Sequence, residues 1–120
     1  DNEINEWINS GMDIGAHSQS HSNLLNLTKQ ELEDEIFKCK SDLESKFNIS
    51  VTDFCYPFGK FDDSIVDLTK KAGYETATSM KRGRAKLNSN IYKLPRIPIT
   101  HHTLIHLFIT KIVTGYEDKR

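Results

Sequence analysis

The chain has 120 residues, 37% of them apolar and 28% charged, and its 16 basic against 17 acidic residues give a formal charge of −1. That length fits one domain at most. A near-neutral balance supplies no overall field for drawing in nucleic acid or an anionic membrane surface, and no apolar run approaches the ~20 residues of a membrane-crossing helix.

The chain opens at Asp1 in what reads as a helix already under way, as an excised piece of a longer protein would. Ile4, Trp7 and Ile8 mark one face of that helix, and Gly11 stands where its end needs a left-handed residue. Met12 to Ala16 then reads as a short strand delivering His17 to its end. From Leu27 the signals are strong. Thr28 and Glu31 form a capping box, Leu27 and Leu32 occupy the positions of a hydrophobic staple, and Leu32, Ile36, Cys39, Leu43 and Phe47 make an apolar helical stripe.

Val51 to Tyr56 reads as a mostly buried strand ended by Pro57. Asp62 or Asp63 can cap the next helix, which uses Ile65, Leu68 and Ala72 and stops at Gly73. Tyr74 to Thr78 is a further strand, Ile91 to Ile99 is extended because Pro95 and Pro98 exclude helix, and a last helix from Thr100 or Thr103 turns Leu104, Ile105, Phe108, Ile109 and Ile112 to the core. Alternating strands and helices of this kind predict an α/β fold with a mostly parallel sheet, and reactive residues then gather at the carboxyl ends of the strands.

His17 and His21 are four residues apart, close enough to offer two imidazoles to one ion if the backbone turns as a helix does. Zinc accepts nitrogen ligands of this kind, and a catalytic zinc site takes three protein ligands with a position left open. His102 and His106 share the spacing, but His106 falls with Thr103, Thr110 and Thr114 on a polar helix face. Pro57-Phe58-Gly59 can terminate a strand, and it can also present a backbone N–H to a developing oxyanion. Asp62 and Asp63 are explained by capping, and Lys81 to Lys86 by a solvated loop. Arg96, between two prolines in an apolar segment, needs a carboxylate or substrate partner unless it lies at the surface. Cys39 and Cys55 form no C-x-x-C pair and no disulfide framework, and read as small hydrophobes.

Together, Asp13-Ile14-Gly15-Ala16-His17-Ser18-Gln19-Ser20-His21 and Tyr56-Pro57-Phe58-Gly59 resemble consecutive motifs of the polysaccharide deacetylases, the NodB-homology or carbohydrate esterase family 4 domain. His17, Ser18 and His21 match its H-[S/T]-x-x-H motif. Cys55 to Gly59 match R-x-P-[Y/F]-G, except that Cys55 stands at the place of the arginine. The resemblance implies a distorted (β/α) barrel, present here in part as a single partial domain over residues 1–120. It implies that His17 and His21 hold a divalent metal, most simply zinc. It further implies that the backbone N–H of Phe58 serves the oxyanion, that Tyr56, Pro57 and Phe58 face substrate, and that an N-acetyl or O-acetyl group on a polysaccharide, one containing N-acetylglucosamine, is hydrolysed outside the cell or in its envelope.

No T-F-D-D precedes His17 in this sequence. The third ligand and the general base of the resemblance are therefore not among these residues, and Arg96 is the candidate to replace the arginine lost at position 55 and orient that missing aspartate. The chain alone is then expected to be inactive, with a non-catalytic carbohydrate-binding remnant as the alternative reading and a metal-binding regulatory module as a remoter one. Unpaired edges of a partial barrel would be points of self-association.

Overall fold

The computed structural model describes residues 1–119. Its sheet has three parallel strands in the order β1 (Asp53–Cys55), β2 (Thr76–Arg82) and β3 (Leu94–Arg96), open at both sides. Around it lie α1 (Asn2–Asn9), a long helical segment made of α2 (Lys29–Glu33), a π-helical stretch (Asp34–Lys38) and α3 (Cys39–Phe47), then α4 (Asp63–Lys71) and α5 (Ile105–Val113). This is the α/β arrangement expected, in the partial and unclosed form.

The long helix begins as its sequence dictates. The Thr28 hydroxyl accepts from the Glu31 amide at 3.4 Å while a Glu31 carboxylate oxygen accepts from the Thr28 amide at 2.7 Å, so the capping box satisfies donors at both positions. Its stripe delivers Ile36 and Cys39 to the core. At the end of α4, Gly73 takes the left-handed φ of +83° that its position required. The core is completed by Phe54, Tyr56, Ile65, Val66, Tyr74 and Ala77. Its tyrosines keep their hydroxyls satisfied on backbone carbonyls: Tyr56 donates to Tyr92 and Tyr74 to Ile36, each at 3.0 Å.

Three expectations are corrected. The strand at Met12–Ala16 shrinks to a single parallel bridge between Ala16 and Phe54, because Ala16 pairs with β1 through just two hydrogen bonds, to Asp53 O at 2.8 Å and from Cys55 N at 2.9 Å. The third strand runs on to Arg82, well past Thr78, so Lys81 and Arg82 belong to β2 rather than to a loop.

The last helix starts at Ile105, and its apolar stripe does not face the core: Leu104, Ile105, Ile109 and Ile112 are 64%, 72%, 51% and 46% exposed. Its buried residue is Lys111, whose ammonium reaches the Pro98 carbonyl at 2.6 Å and the buried carboxylate of Glu117 at 2.9 Å. Periodicity shows that a face needs cover, but what covers it is set elsewhere, and here the helix is anchored through its charged side. Among the described residues no helix is long and apolar enough to cross a membrane.

Candidate active site

The Ala16–Phe54 bridge places His17 beside the carboxyl end of β1, and the same strand runs directly into Tyr56 and the Pro57–Gly59 turn. Parallel pairing thus brings the two predicted motifs together across 38 residues of sequence: His17 Nδ1 donates to the Cys55 carbonyl at 2.6 Å. With Nδ1 engaged, Nε2 is the nitrogen left for a ligand, which is how metal-binding histidines are usually oriented. The His17 and His21 ring centroids lie 4.8 Å apart, and the His21 ring meets the Phe58 ring edge-on at 4.6 Å.

The pair does not sit on a helical turn, as its spacing had suggested. Ser18 and His21 both adopt left-handed backbone, with φ of 63° and 59°, and the Ser18 hydroxyl accepts from the His21 amide at 3.0 Å. Two non-glycine residues in that region within four positions cost on the order of 1–3 kcal/mol each, so the surrounding structure must hold them. Glu35 does much of that. One of its carboxylate oxygens accepts from the Ser20 amide at 2.9 Å and the other from the Ser20 hydroxyl at 2.5 Å. Burial pushes its carboxyl up, but these bonds, with further ones from the Ser18 hydroxyl and the Gln19 amide, outweigh burial and hold it below the usual carboxylate range. Asp42 adds a bond from the Gln19 side chain at 3.2 Å.

Glu35 lies within the π-helical stretch, a widened turn of the kind found at functional positions. Sequence reasoning passed over it. Its signal was a carboxylate one residue before the buried Ile36, which helical spacing alone makes an ordinary flank.

Phe58 carries the other half of the site. Its φ of 57° is left-handed, as is the 63° of Gly59, and the turn's own hydrogen bonds run from Gly59 N to Tyr56 O at 2.9 Å and from Lys60 N to Pro57 O at 3.1 Å. The Phe58 N–H is not drawn into either bond, and its ring is 52% exposed. Tyr56 and Pro57 differ from the expectation that they face substrate. Both are buried, Tyr56 stacks on Phe61 at 4.3 Å, and burial pushes its phenol up to about 12, so these two side chains support the turn from below.

Cys55 is half-buried rather than sealed in the core, and the guanidinium of Arg96 comes to its sulfur. Cys39 is buried beneath the histidine loop, where burial pushes its thiol up against the opposing hydrogen bond of the His17 amide. Asp62 caps α4, accepting from Ile65 N at 2.9 Å, as its position at the start of the helix implied, and Asp63 pairs with Lys93 at 2.6 Å. His102 and His106 are exposed. Among the described residues no third His, Cys, Asp or Glu joins His17 and His21 in a group able to hold a metal.

Comparison with known proteins places this geometry among relatives. A family model described as polysaccharide deacetylase matches residues 1–77. A poly-β-1,6-N-acetyl-D-glucosamine N-deacetylase of Staphylococcus aureus is 29% identical over 98% of this chain and 43% of its own length. A polysaccharide deacetylase of Bacillus cereus superposes with a TM-score of 0.84 at 31% identity, over 92% of this chain and 35% of that one. A Streptococcus pyogenes deacetylase in complex with acetate has a TM-score of 0.87 at 19% identity, over 92% of this chain and 49% of that one, a likeness of fold. The chain thus spans less than half the length of each of these three relatives.

Proposed function

This chain belongs to the polysaccharide deacetylase family, and from that premise we propose that it carries the histidine pair and the oxyanion turn of a centre that hydrolyses acetyl groups on a polysaccharide. The observation that carries the proposal is the convergence of His17, His21 and Phe58, with ring centroids 4.8 and 4.6 Å apart in succession. In such hydrolysis water adds across the acyl bond, so that an acetamide gives acetate and a free amine.

The donor set fits a divalent metal in part. His17 offers Nε2 because its Nδ1 is held by the Cys55 carbonyl, and His21 lies beside it. These two residues would hold the ion, zinc by preference for imidazole, with a carboxylate to be supplied by residues other than those described. Bound there, the metal supplies Lewis-acid polarisation and a lowered pKa for water.

The remaining roles belong to this chain's own groups. The Phe58 N–H, left out of the turn's hydrogen bonds, would donate to the acyl oxygen as charge develops on it. The exposed Phe58 ring would pack against the sugar and exclude water from the reacting face. Arg96 would hold a general-base carboxylate in line, acting as a positioning residue. The relative of S. aureus is named for poly-β-1,6-N-acetyl-D-glucosamine, which makes an N-acetylglucosamine polymer the first substrate to test and an extracellular or envelope setting the natural one.

Calorimetric titration with zinc tests the metal assignment directly. The wild-type chain should take up one equivalent, and His17→Ala and His21→Ala should each weaken binding at least about tenfold while leaving the circular dichroism unchanged, since both side chains are exposed. Binding indifferent to both substitutions would sink the assignment. The second reading, a non-catalytic glycan-binding module, is separated by acetate release from a poly-N-acetylglucosamine oligomer when the chain is joined to a segment carrying an aspartate pair. Glycan binding without acetate would favour it.

A further inference from the structure

Beside the Phe58 turn, on the side where β1 and β2 end, lies a cavity of about 590 Å³. Gly59, the residue after Phe58, forms part of its wall and packs directly on Met80 of β2. Lys81, Arg82, Arg84, Lys86 and Lys93 also line it, against the single carboxylate of Asp118. Three of these cations are tied: Arg84 to Asp118 at 3.1 Å, Arg82 to Glu117 at 3.7 Å and Lys93 to Asp63 at 2.6 Å. Lys81 and Lys86 form no ion pair among the described residues, so the wall keeps an excess of two positive charges in a chain whose formal charge is −1.

Here the extension of β2 to Arg82 and the return of β3 gather them around one concave space, where low-dielectric walls strengthen the field felt by an anion. The cavity has an apolar floor as well. Phe61 lines it, stacked on the buried Tyr56 at 4.3 Å and 28°, with the Lys93 ammonium 5.9 Å from its ring centroid, so an apolar edge and a cation are presented together. Asn90 stands at the same wall with its carbonyl oxygen occupied by the Tyr92 amide at 2.9 Å, so its amide nitrogen remains a donor for hydroxyls.

We propose that this cavity is a subsite for an acidic residue of the glycan, a sugar bearing a carboxylate or phosphate, flanking the acetylated sugar at Phe58. The proposal rests on the glycan reading above and adds that the substrate is anionic. One aromatic ring with clustered cations suits a single charged sugar. A nucleic-acid strand would call for a succession of stacking rings.

The test compares the chain's affinity for a neutral N-acetylglucosamine tetramer, a tetramer alternating N-acetylglucosamine with glucuronic acid, and an N-acetylglucosamine tetramer carrying a 6-phosphate. Hexathymidylate serves as the polyanion control, and binding is followed by calorimetry and by backbone amide shifts. The acidic tetramers should bind at least about tenfold tighter than the neutral one at low ionic strength, with shifts concentrated at Lys81–Lys86. The preference should fall below about twofold in the Lys81→Glu/Lys86→Glu variant, and also at ~1 M salt, where screening acts within about 3 Å. Binding of the neutral tetramer should not change in that variant, which checks that it is folded. The carboxylate and phosphate arms show which group the cavity takes. Equal affinities for neutral and acidic tetramers overturn the proposal and leave the glycan reading intact, whereas no binding of any tetramer overturns both. Hexathymidylate binding as tightly as the acidic tetramers overturns it in favour of a non-selective polyanion surface.

Discussion

The Nη1 of Arg96 lies 3.7 Å from the Sγ of Cys55. The guanidinium thus reaches, from β3, the side chain at the end of β1. The two residues are 41 positions apart in sequence, and the contact sets a cation beside the end of β1.

If that cation orients a general base, then in the chain joined to a segment carrying an aspartate pair Arg96→Ala should lower kcat/KM for deacetylation by about 10- to 100-fold, the usual cost of removing an orienting partner, with zinc affinity unchanged. Adding Cys55→Arg to that variant should restore part of the loss by returning the charge to β1. Kinetics at several pH values give the readout, and an unchanged kcat/KM in Arg96→Ala would end the idea.

Glu35 holds the histidine loop through both oxygens, so Glu35→Ala removes the charge-assisted bonds from the Ser20 amide and hydroxyl, the hydroxyl keeping only Ser22 Oγ at 2.7 Å. Stability should fall by about 1–3 kcal/mol by denaturant unfolding. Zinc affinity should fall as well, because Ser18 and His21 would relax from left-handed backbone. Glu35→Gln should keep part of both, since an amide oxygen can still accept from the Ser20 amide.

Gly59 has a φ of +63°, and a Cβ there would come 2.6 Å from Met80 Cβ and 2.7 Å from Met80 N. Gly59→Ala must therefore displace backbone. A loss of about 1–3 kcal/mol is expected, in the range of overpacked sites. Met80→Ala should not rescue it, because the Met80 amide nitrogen remains in place. A thermal melt of the single and double variants checks both points.

Asp62 caps α4, and the hydrogen bond from the Ile65 amide, followed by that from the Ser64 hydroxyl, holds its carboxyl below the usual range. A lowered folded-state pKa means the cap's contribution is present above the unfolded value and is lost as pH falls through the folded one. Asp62→Ala should accordingly cost about 1 kcal/mol at neutral pH, and the gap to wild type should close on acidification below about pH 4. Urea midpoints measured across pH would show a constant gap if the cap did not act through its charge.

Much of the chain was legible in advance because its signals act over three or four residues. The Thr28–Glu31 box, the Asp62 cap and the left-handed glycines at 11 and 73 each complete a bond or a turn within their own stretch of backbone, so residue type and spacing define them. The two motifs around His17 and Phe58 were legible in the same way, as was the placement of both at strand ends.

What tertiary structure decided is how side chains meet across elements. The Cys55 carbonyl fixes the His17 ring, Glu35 holds the loop from a widened helical turn, and Arg96 crosses to Cys55, each through a contact between segments 15 to 41 residues apart. The apolar stripe of α5 faces outward while Lys111 is buried on Glu117, and Lys81 and Arg82 extend β2 where a loop was expected, so that with Arg84 and Lys86 of the loop that follows they line one cavity. Sequence alone determined where the chain turns, caps and alternates, because those choices are settled by neighbouring bonds. Packing alone decided which groups lose water and which partners they find, because burial depends on surfaces that come together only when the elements dock.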